Sequence, residues 1–237
     1  MKIKFDRKYL AVLAEFVGKN DIRYFINGFH IKPHKEVGVI LTATDGHRLV
    51  TIHDENGFTD GEYIFPISKG LLAASKKGKI EDVRALVNVM ILNGQAMVTS
   101  IECEKGEWPD QISEDYSHQV GYVEFIKPIA GRYVNAARVF ENLGKPVGTE
   151  IIGLNTAYLA SLDKLKVSGV HPGGKVFLFG PDKAIAIVTG IFNEIVAVIM
   201  PMNIDSSDSL GEIPAFTLES GQQRPETHDE SEGQEAA

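Results

Sequence analysis

Apolar and polar positions along the first 118 residues predict a strand, a helix, several strands, a second helix and further strands. Residues 2–5 alternate as a strand does, and apolar residues then recur at helical spacing from Asp6, a candidate N-cap, to Gly18. Ser68 is the candidate cap of a second, short helix that ends near Ser75. Runs rich in β-branched and aromatic residues predict strands over 22–31, 37–44, 48–54 and 62–67, with two or three more between 81 and 104.

The same order of elements recurs after residue 119 in a shorter form. Asn155 is a candidate N-cap, and apolar residues at helical spacing continue from it to Leu165. The block is expected to hold strands over 122–125 and 149–154, a helix over 128–142, and antiparallel strands over 175–180, 184–189 and 194–202. The sequence therefore predicts the α+β class, with antiparallel sheets, few helices and two repeats of which the second is shorter.

The segment LTATDGHRLV, residues 41–50, contains a turn signal that explains only part of it. Asp45 and Gly46 stand between two strand-like runs, and an Asp-Gly pair accepts the positive φ angles of a tight hairpin turn. The turn does not explain why His47, Arg48 and Leu49 follow so directly, at the start of the returning strand.

The net negative charge of the chain comes entirely from its last 33 residues. From residue 205 onward there are nine acidic side chains and one basic one, which accounts for the whole formal charge of −8. The preceding 204 residues carry equal numbers of acidic and basic side chains. Because the segment 205–237 has few apolar residues to bury, we expect an acidic and disordered tail attached to a neutral folded part.

Cysteine usage and hydropathy both favour a cytoplasmic protein. Cys103 is the single cysteine in 237 residues, so the chain forms no internal disulfide, as is usual in a reducing compartment. No stretch is apolar for long enough to cross a membrane. The segment MKIKFDRKYL has alternating charges rather than the apolar core of a secretory signal.

Basic residues are concentrated on the predicted helices and their flanks. The segments 7–19, 69–79, 127–145 and 161–166 hold 13 of the 24 basic residues but only three acidic ones. Helices packed on one side of a sheet would then present a positive surface, to which phosphate backbones bind without sequence readout. Lysine also favours helix surfaces and helix C-termini for reasons unrelated to function. Both interpretations remain open on the sequence.

No catalytic motif stands out, and we expect neither enzymatic activity nor a cofactor. The phosphate-binding, nucleophile-elbow and zinc-protease motifs are all missing from the sequence. His30 and His34 have no third ligand, and Pro33 interrupts their strand, which favours ordinary surface histidines over a metal site. Cys103 has no adjacent histidine or cation to activate its thiol.

Six segments, taken in order, resemble the bacterial sliding clamp, the beta subunit of DNA polymerase III. They are DIRYFING (21–28), LTATDGHRL (41–49), YIFPISKG (63–70), EWPD (107–110), GLNTAYLASLDKL (153–165) and VIMPM (198–202). The resemblance implies a clamp fold, with antiparallel sheets outside and helices on the inner face. Residues 1–118 resemble the middle domain of the clamp and 119–204 a shortened last domain, a reduction that would suit a phage or other mobile element.

The resemblance also implies a cleft between the two domains, in which short peptides from DNA polymerase, the clamp loader and repair proteins dock. Such peptides are expected to carry a glutamine and a leucine–phenylalanine ending. Flexible methionines suit a cleft that accepts several partners. The residues carried over to this chain are Arg23, Tyr24, Phe25, Thr44, Gly46, His47, Arg48, Leu49, Pro66, Leu71, Asn155, Tyr158, Val198, Met200, Pro201 and Met202.

The function implied by the resemblance is that of a processivity factor, which encircles duplex DNA and tethers a polymerase to it. A ring in this family has six domain repeats, so two repeats per chain imply a homotrimer with head-to-tail interfaces. The alternative is a clamp-like adaptor or decoy that binds the same peptides but forms no ring. The residues expected to face DNA are Lys8, Lys19, Lys76, Lys77, Arg132, Arg138 and Lys164.

Overall fold

Two antiparallel sheets form the framework of the protein. The computed structural model describes residues 1–76, 87–103, 108–109, 114–149, 151–165 and 173–203; the predicted tail and Lys77 lie outside these ranges. Within them the strands are β1 (Lys2–Asp6), β2 (Phe29–Pro33), β3 (Val39–Thr44), β4 (Arg48–Asp54), β5 (Phe58–Thr59), β6 (Tyr63–Phe65), β7 (Asn88–Leu92), β8 (Gln95–Thr99), β9 (Val120–Phe125), β10 (Lys175–Phe177), β11 (Ile185–Thr189) and β12 (Ile195–Ile199).

The described helices are short and lie between or beside the sheets. They are α1 (Lys8–Phe16), α2 (Lys69–Ser75), α3 (Ala136–Leu143) and α4 (Thr156–Ser161), with 3₁₀ turns at Tyr24–Asn27, Glu114–Gln119 and Leu162–Leu165. The five-stranded sheet has the order β5-β1-β7-β8-β9, and the seven-stranded sheet has the order β10-β11-β12-β4-β3-β2-β6. This arrangement confirms the predicted α+β class with antiparallel sheets.

The seven-stranded sheet joins the two halves of the chain. Strand β12 pairs with β4, so that Val198 lies opposite Leu49 and Ala197 opposite Val50. Residues 1–203 form one compact unit. The division into domains at residues 118 and 119 therefore stays a prediction.

The two faces of the seven-stranded sheet bury different clusters. Its core face, which carries Leu41, Val50 and Ile52, packs with α1 and the five-stranded sheet in the main core, where Phe5 and Phe16 are almost completely buried. Its outer face bears a second, smaller cluster. There Leu49, Ala186 and Val198 pack with Leu143 and with the partly buried Ala136, Val139 and Phe140 of α3. Helix α3 thus lies on the opposite face of this sheet from α1.

Three predicted elements differ in type or bounds from those in the structure. In the first two, hydrogen bonds of side chains or of the backbone override the local pattern of apolar residues. Residues 24–27 form a 3₁₀ turn rather than a strand, since Asp21 and Asn27 exchange two hydrogen bonds of 2.9 Å across it. Helix α3 begins at Ala136. Before it lies an extended segment, which is held in place by hydrogen bonds from the N–H of Ile126 to Gly94 O and from the N–H of Ile129 to Ile64 O. The strand expected over 149–154 is reduced to a single bridge between Gly153 and Met202.

Two predicted helix caps have different outcomes. Ser68 caps α2 as expected, because its hydroxyl accepts the N–H of Leu71 at 2.9 Å. Asp6 belongs to β1, and Arg7 occupies the N-cap position of α1 without a side-chain hydrogen bond to the helix. The carboxylate of Asp6 nevertheless accepts the N–H of Lys8 at 2.9 Å, so it satisfies a free donor of the first turn. Within the described residues, none of the helices combines the length and apolar character needed to span a bilayer.

Candidate functional site

A rigid turn joins β3 to β4 at the centre of the site. Asp45 Oδ1 accepts the N–H groups of His47 and Arg48 at 2.9 and 2.8 Å, and Thr44 Oγ1 accepts the N–H of Gly46 at 3.0 Å. The turn between strands was predicted correctly. Its geometry differs from a two-residue hairpin, because Gly46 alone of the pair has a positive φ, of 91°.

Arg48 is a structural tie rather than a free hydrogen-bond donor. Its guanidinium pairs with Asp45 at 2.9 Å and with the Glu15 carboxylate at 3.5 Å, and it donates to Glu15 O at 3.0 Å. It also lies over the rings of Phe16 and Tyr158, at 5.1 and 4.7 Å from their centroids. These contacts fix the turn to α1 and α4, so the guanidinium is already engaged within the protein.

Beside this turn the outer face of the seven-stranded sheet carries a groove of about 250 Å³. Its floor is buried, with Leu49 5 % and Val198 2 % exposed, whereas Met200 on its wall is 54 % exposed. The N–H of Met200 donates to His47 O at 3.0 Å, which ties the wall to the turn. The lining residues are Arg23, Phe25, Ile26, Thr44, Gly46, His47, Arg48, Leu49, Val134, Val139, Val198 and Met200.

Arg23 lies at the rim of this groove with its charge held in place. Its guanidinium pairs with Asp21 at 2.8 Å. Hydrogen bonds from Arg23 lower the pKa of Asp21 to about 2, so the pair stays ionised at all ordinary pH values. The same guanidinium lies against the α-carbon of Gly46, where a β-carbon would come within 2.6 Å of Nη2.

Two predicted cleft residues, Pro66 and Leu71, lie elsewhere. Leu71 is 1 % exposed within α2, in the main core, and Pro66 is exposed before that helix. Both residues were carried over from the resemblance to the sliding clamps. In this chain Val134 and Val139 line the groove, and these two residues do not.

The other predicted residues that do not line the groove lie next to it or support it. Tyr158 stacks beside His47, with 6.1 Å between ring centroids. Asn155 caps α4 by accepting the N–H of Ala157 at 2.9 Å. Tyr24 and Met202 are exposed, at 57 % and 53 %. Pro201, between Met200 and Met202, is only partly exposed.

Sequence reasoning missed Ile26, Val134 and Val139 as lining residues. Val139 lies within the helix predicted over 128–142, but its packing against the sheet was not predicted. Val134 precedes α3, and its position depends on the extended segment that the sequence pattern assigned to the helix. Ile26 depends on the 3₁₀ turn that was taken for a strand.

The candidate DNA-facing residues do not form one surface. Lys19 and Lys76 are exposed beyond the ends of α1 and α2. Lys8 is partly covered and pairs with Asp6 at 3.0 Å. Arg132 is exposed before α3 and Arg138 is exposed on α3, which lies on the other face of the seven-stranded sheet. Arg132 and Arg138 therefore lie apart from Lys19 and Lys76, because α3 packs on the side of the sheet away from α1, and the contact of these cations with DNA stays a prediction.

Lys164 lies in the Leu162–Leu165 turn, which contacts α1. Its ammonium is 3.9 Å from the Asp163 carboxylate, and both side chains are more than half exposed, so the pair is weak. No group of three or more potential metal ligands occurs among the described residues.

Comparison with solved structures identifies the fold. The chain matches a DNA polymerase sliding clamp from Pseudomonas aeruginosa with a TM-score of 0.55 and 15 % identity over 86 % of this chain. It matches a DNA polymerase III beta subunit from Eubacterium rectale with a TM-score of 0.54 and 13 % identity. A beta subunit from DNA polymerase of Streptococcus pyogenes gives a TM-score of 0.52 and 14 % identity.

The matches cover 66 % of the Pseudomonas and Eubacterium chains and 65 % of the Streptococcus chain, so this chain spans slightly less than two thirds of their length. No protein-family model matches the chain, and a search of curated proteins finds no match either. The chain therefore has the fold of the bacterial sliding clamps in a shortened form.

Proposed function

We propose that the chain is a DNA sliding clamp that binds partner peptides in the groove beside the turn between β3 and β4. The observation that carries the proposal is the meeting of two distant segments, in which Met200 donates to His47 O and Val198 lies opposite Leu49. Their apolar floor is buried and preformed, and their methionine wall is exposed and adaptable. A groove of this kind favours short apolar anchors over any catalytic chemistry.

Peptide binding in the groove is tested by one methionine substitution with a matched control. Met200→Ala should weaken the binding of a short peptide that carries a glutamine and a leucine–phenylalanine ending. The expected loss of binding free energy is about 1–2 kcal/mol, measured by calorimetry. Met202→Ala is the control, because Met202 is equally exposed but does not line the groove. Equal loss in both variants, or none in either, would remove the groove from the proposal.

Duplex DNA is the proposed partner of the exposed cations that follow α1 and α2 and of Lys164. Lys19, Lys76 and Lys164 are exposed, and contacts of such side chains to phosphate are loose and independent of sequence. Arg132 and Arg138 are left out of this surface because α3 lies on the other face of the sheet. The tether, not catalysis, would then supply processivity.

A second candidate, a clamp-like adaptor without a ring, is favoured by a separate observation. The shortened second repeat contributes only β10, β11 and β12 to the described sheets, apart from β9, which extends the five-stranded sheet. An adaptor needs the groove alone, whereas a clamp also needs sheet edges that close a ring. The mass of the protein in solution separates the two candidates.

A further inference from the structure

A second cavity, of about 410 Å³, lies on the other flank of α3 from the groove. We call it the polar cavity, because hydroxyl, amide and charged side chains make up a larger share of its lining than of the lining of the groove. The lining residues are His30, Lys32, Ile40, Thr42, Thr51, Glu62, Arg132, Tyr133, Val134, Asn135, Ala136, Ala137 and Phe140.

The floors of the polar cavity and the groove form one continuous strip of the outer face of the seven-stranded sheet. In the polar cavity His30 lies opposite Thr42, and Thr42 lies opposite Thr51. Two residues further along the same strands, Thr44 lies opposite Leu49, which is part of the groove floor. Side chains two residues apart on a strand share a face. The two spaces therefore adjoin along β3 and β4.

Val134 marks the passage between the two spaces. It lines both of them and is 37 % exposed, immediately before the N-cap of α3. An extended peptide rises by about 3.3 Å per residue. A few residues beyond an anchor in the groove, a bound peptide would therefore pass Val134 and reach the polar cavity.

The polar cavity favours negative charge. Lys32 and Arg132 are both exposed, and neither has an ion pair among the described residues. The N-terminus of α3 adds a partial positive charge at the same wall. The single acidic group, Glu62, is already bonded to His30 at 2.8 Å. The charge left over for a ligand is thus positive.

The floor of the polar cavity also holds a donor that lacks a partner. The hydroxyl of Thr51 is buried and is the one such side-chain atom without a hydrogen bond among the described residues. This oxygen is covered by the surrounding protein, so a ligand in the cavity does not reach it, and recognition of a carboxylate falls to Lys32 and Arg132 at the rim.

We propose that the polar cavity is an extension of the peptide groove, in which Lys32 and Arg132 select partner peptides that carry an acidic residue beside their apolar anchors. The proposal rests on the proposed function of the groove and adds a determinant of partner choice to it. A peptide fits better than DNA for two reasons. The cavity opens on the face of the sheet away from α1, whereas the proposed DNA surface is on the α1 side, and a short peptide that already lies in the groove reaches the cavity past Val134.

The test compares two synthetic peptides with the same core, which carries a glutamine and a leucine–phenylalanine ending. One is flanked on both sides by glutamates and the other by glutamines, so that the direction of binding does not matter. At low salt the glutamate peptide should bind the full chain about fivefold more tightly than the glutamine peptide does. Two partly exposed charge contacts together contribute a difference of about this size. In Lys32→Gln/Arg132→Gln this ratio should fall to about one.

The matched control is Lys127→Gln/Lys145→Gln, which removes two exposed cations that line neither space. It should keep the fivefold ratio, and the glutamine peptide should bind all three proteins equally, which reports that each is folded. A ratio that persists in Lys32→Gln/Arg132→Gln, or is already one in the unsubstituted chain, overturns the proposal and leaves the groove intact.

Two other outcomes have distinct meanings. If neither peptide binds the unsubstituted chain, the groove function fails and the polar cavity proposal fails with it. If Lys32→Gln/Arg132→Gln lowers affinity for a nonspecific DNA duplex and leaves the peptide ratio unchanged, the two cations contact phosphate, and the assignment to peptides is wrong.

Discussion

Gly46 has one clear geometric reason to be glycine. Its φ of 91° is costly for any residue with a β-carbon, whereas the Arg23 guanidinium that such a β-carbon would meet is the end of a flexible side chain and can move aside. The turn around it is tied by Asp45 and Thr44 and cannot relax without losing their hydrogen bonds. The residue is thus required by the shape of the groove rim.

Gly46→Ala should lower the free energy of unfolding by about 1–3 kcal/mol, the usual cost of a strained backbone position. The measurement is urea unfolding, with Gly148→Ala as the control. Gly148 has no atom within 4 Å of a β-carbon and no positive φ, so its substitution should be neutral or slightly stabilising. A loss of the same size in both variants would contradict the strain at Gly46.

At the residue scale, the sequence predicted which segments meet but not what each side chain does. Nine of the sixteen predicted cleft residues line the groove, because the GHRL and MPM segments come together as expected. The contacts of the Arg48 guanidinium were not predicted. Its partners Glu15, Phe16 and Tyr158 come from distant positions, and nothing local in the sequence indicates that they surround its guanidinium.

Helix α3 shows why the position of an element is harder to predict than its existence. A helix was predicted over 128–142, and the observed helix packs Ala136, Val139, Phe140 and Leu143 against the sheet. A stripe of this kind fits either face of a sheet. The choice of the outer face follows from the extended segment before α3, which crosses the edge of the seven-stranded sheet by pairing with Ile64 in β6.

The docking of that extended segment depends on His30 and Tyr133. Their rings stack with centroids 5.0 Å apart, His30 is 6 % exposed, and Tyr133 donates to Gly28 O at 3.2 Å. Burial lowers the pKa of His30 below its usual 6.5; the nearby Lys32 acts in the same direction, and the Glu62 carboxylate opposes it. The histidine therefore remains neutral in the folded chain at pH values where the unfolded chain has begun to take up a proton.

The stability of the protein should consequently fall as the pH drops through 6.5, because the unfolded state then binds more protons than the folded state. The melting temperature should drop by about 2–4 °C for each kcal/mol lost in this way. His30→Phe keeps a ring that can stack on Tyr133 and removes the titrating group. The melting temperature of this variant should therefore fall less between pH 7.5 and 5.5 than that of the unsubstituted chain. An identical pH dependence in both proteins would show that other groups cause it.

Each of the two sheets has an edge strand with exposed apolar side chains. Strand β9 is an edge of the five-stranded sheet and exposes Val123 and Phe125, at 54 % and 88 %. Strand β10 is an edge of the seven-stranded sheet and exposes Val176 at 58 %. Unprotected edges with outward apolar residues pair readily with another chain. One edge from each sheet gives a head-to-tail contact, which closes a ring if the rotation allows it.

The last prediction is that the chain forms a trimer through β9 of one copy and β10 of the next. The clamp resemblance supplies the number, since six repeats at two per chain require three chains. Phe125→Lys places a charge on the outward face of β9, where it would be buried against the next copy at a cost that the pair cannot offset. Analytical ultracentrifugation should find a concentration-dependent trimer for the unsubstituted chain and a monomer for this variant.

Ile22→Lys is the matched control, because Ile22 is 96 % exposed before the 3₁₀ turn at Tyr24–Asn27 and lies on neither strand. It should leave the trimer unchanged. A trimer that persists in Phe125→Lys would move the interface to another edge, such as β5 or β6. A monomer for the unsubstituted chain at every accessible concentration would remove the ring altogether. The adaptor would then be the function that the groove serves, since peptide docking needs only Leu49, Val198 and Met200 from a single chain.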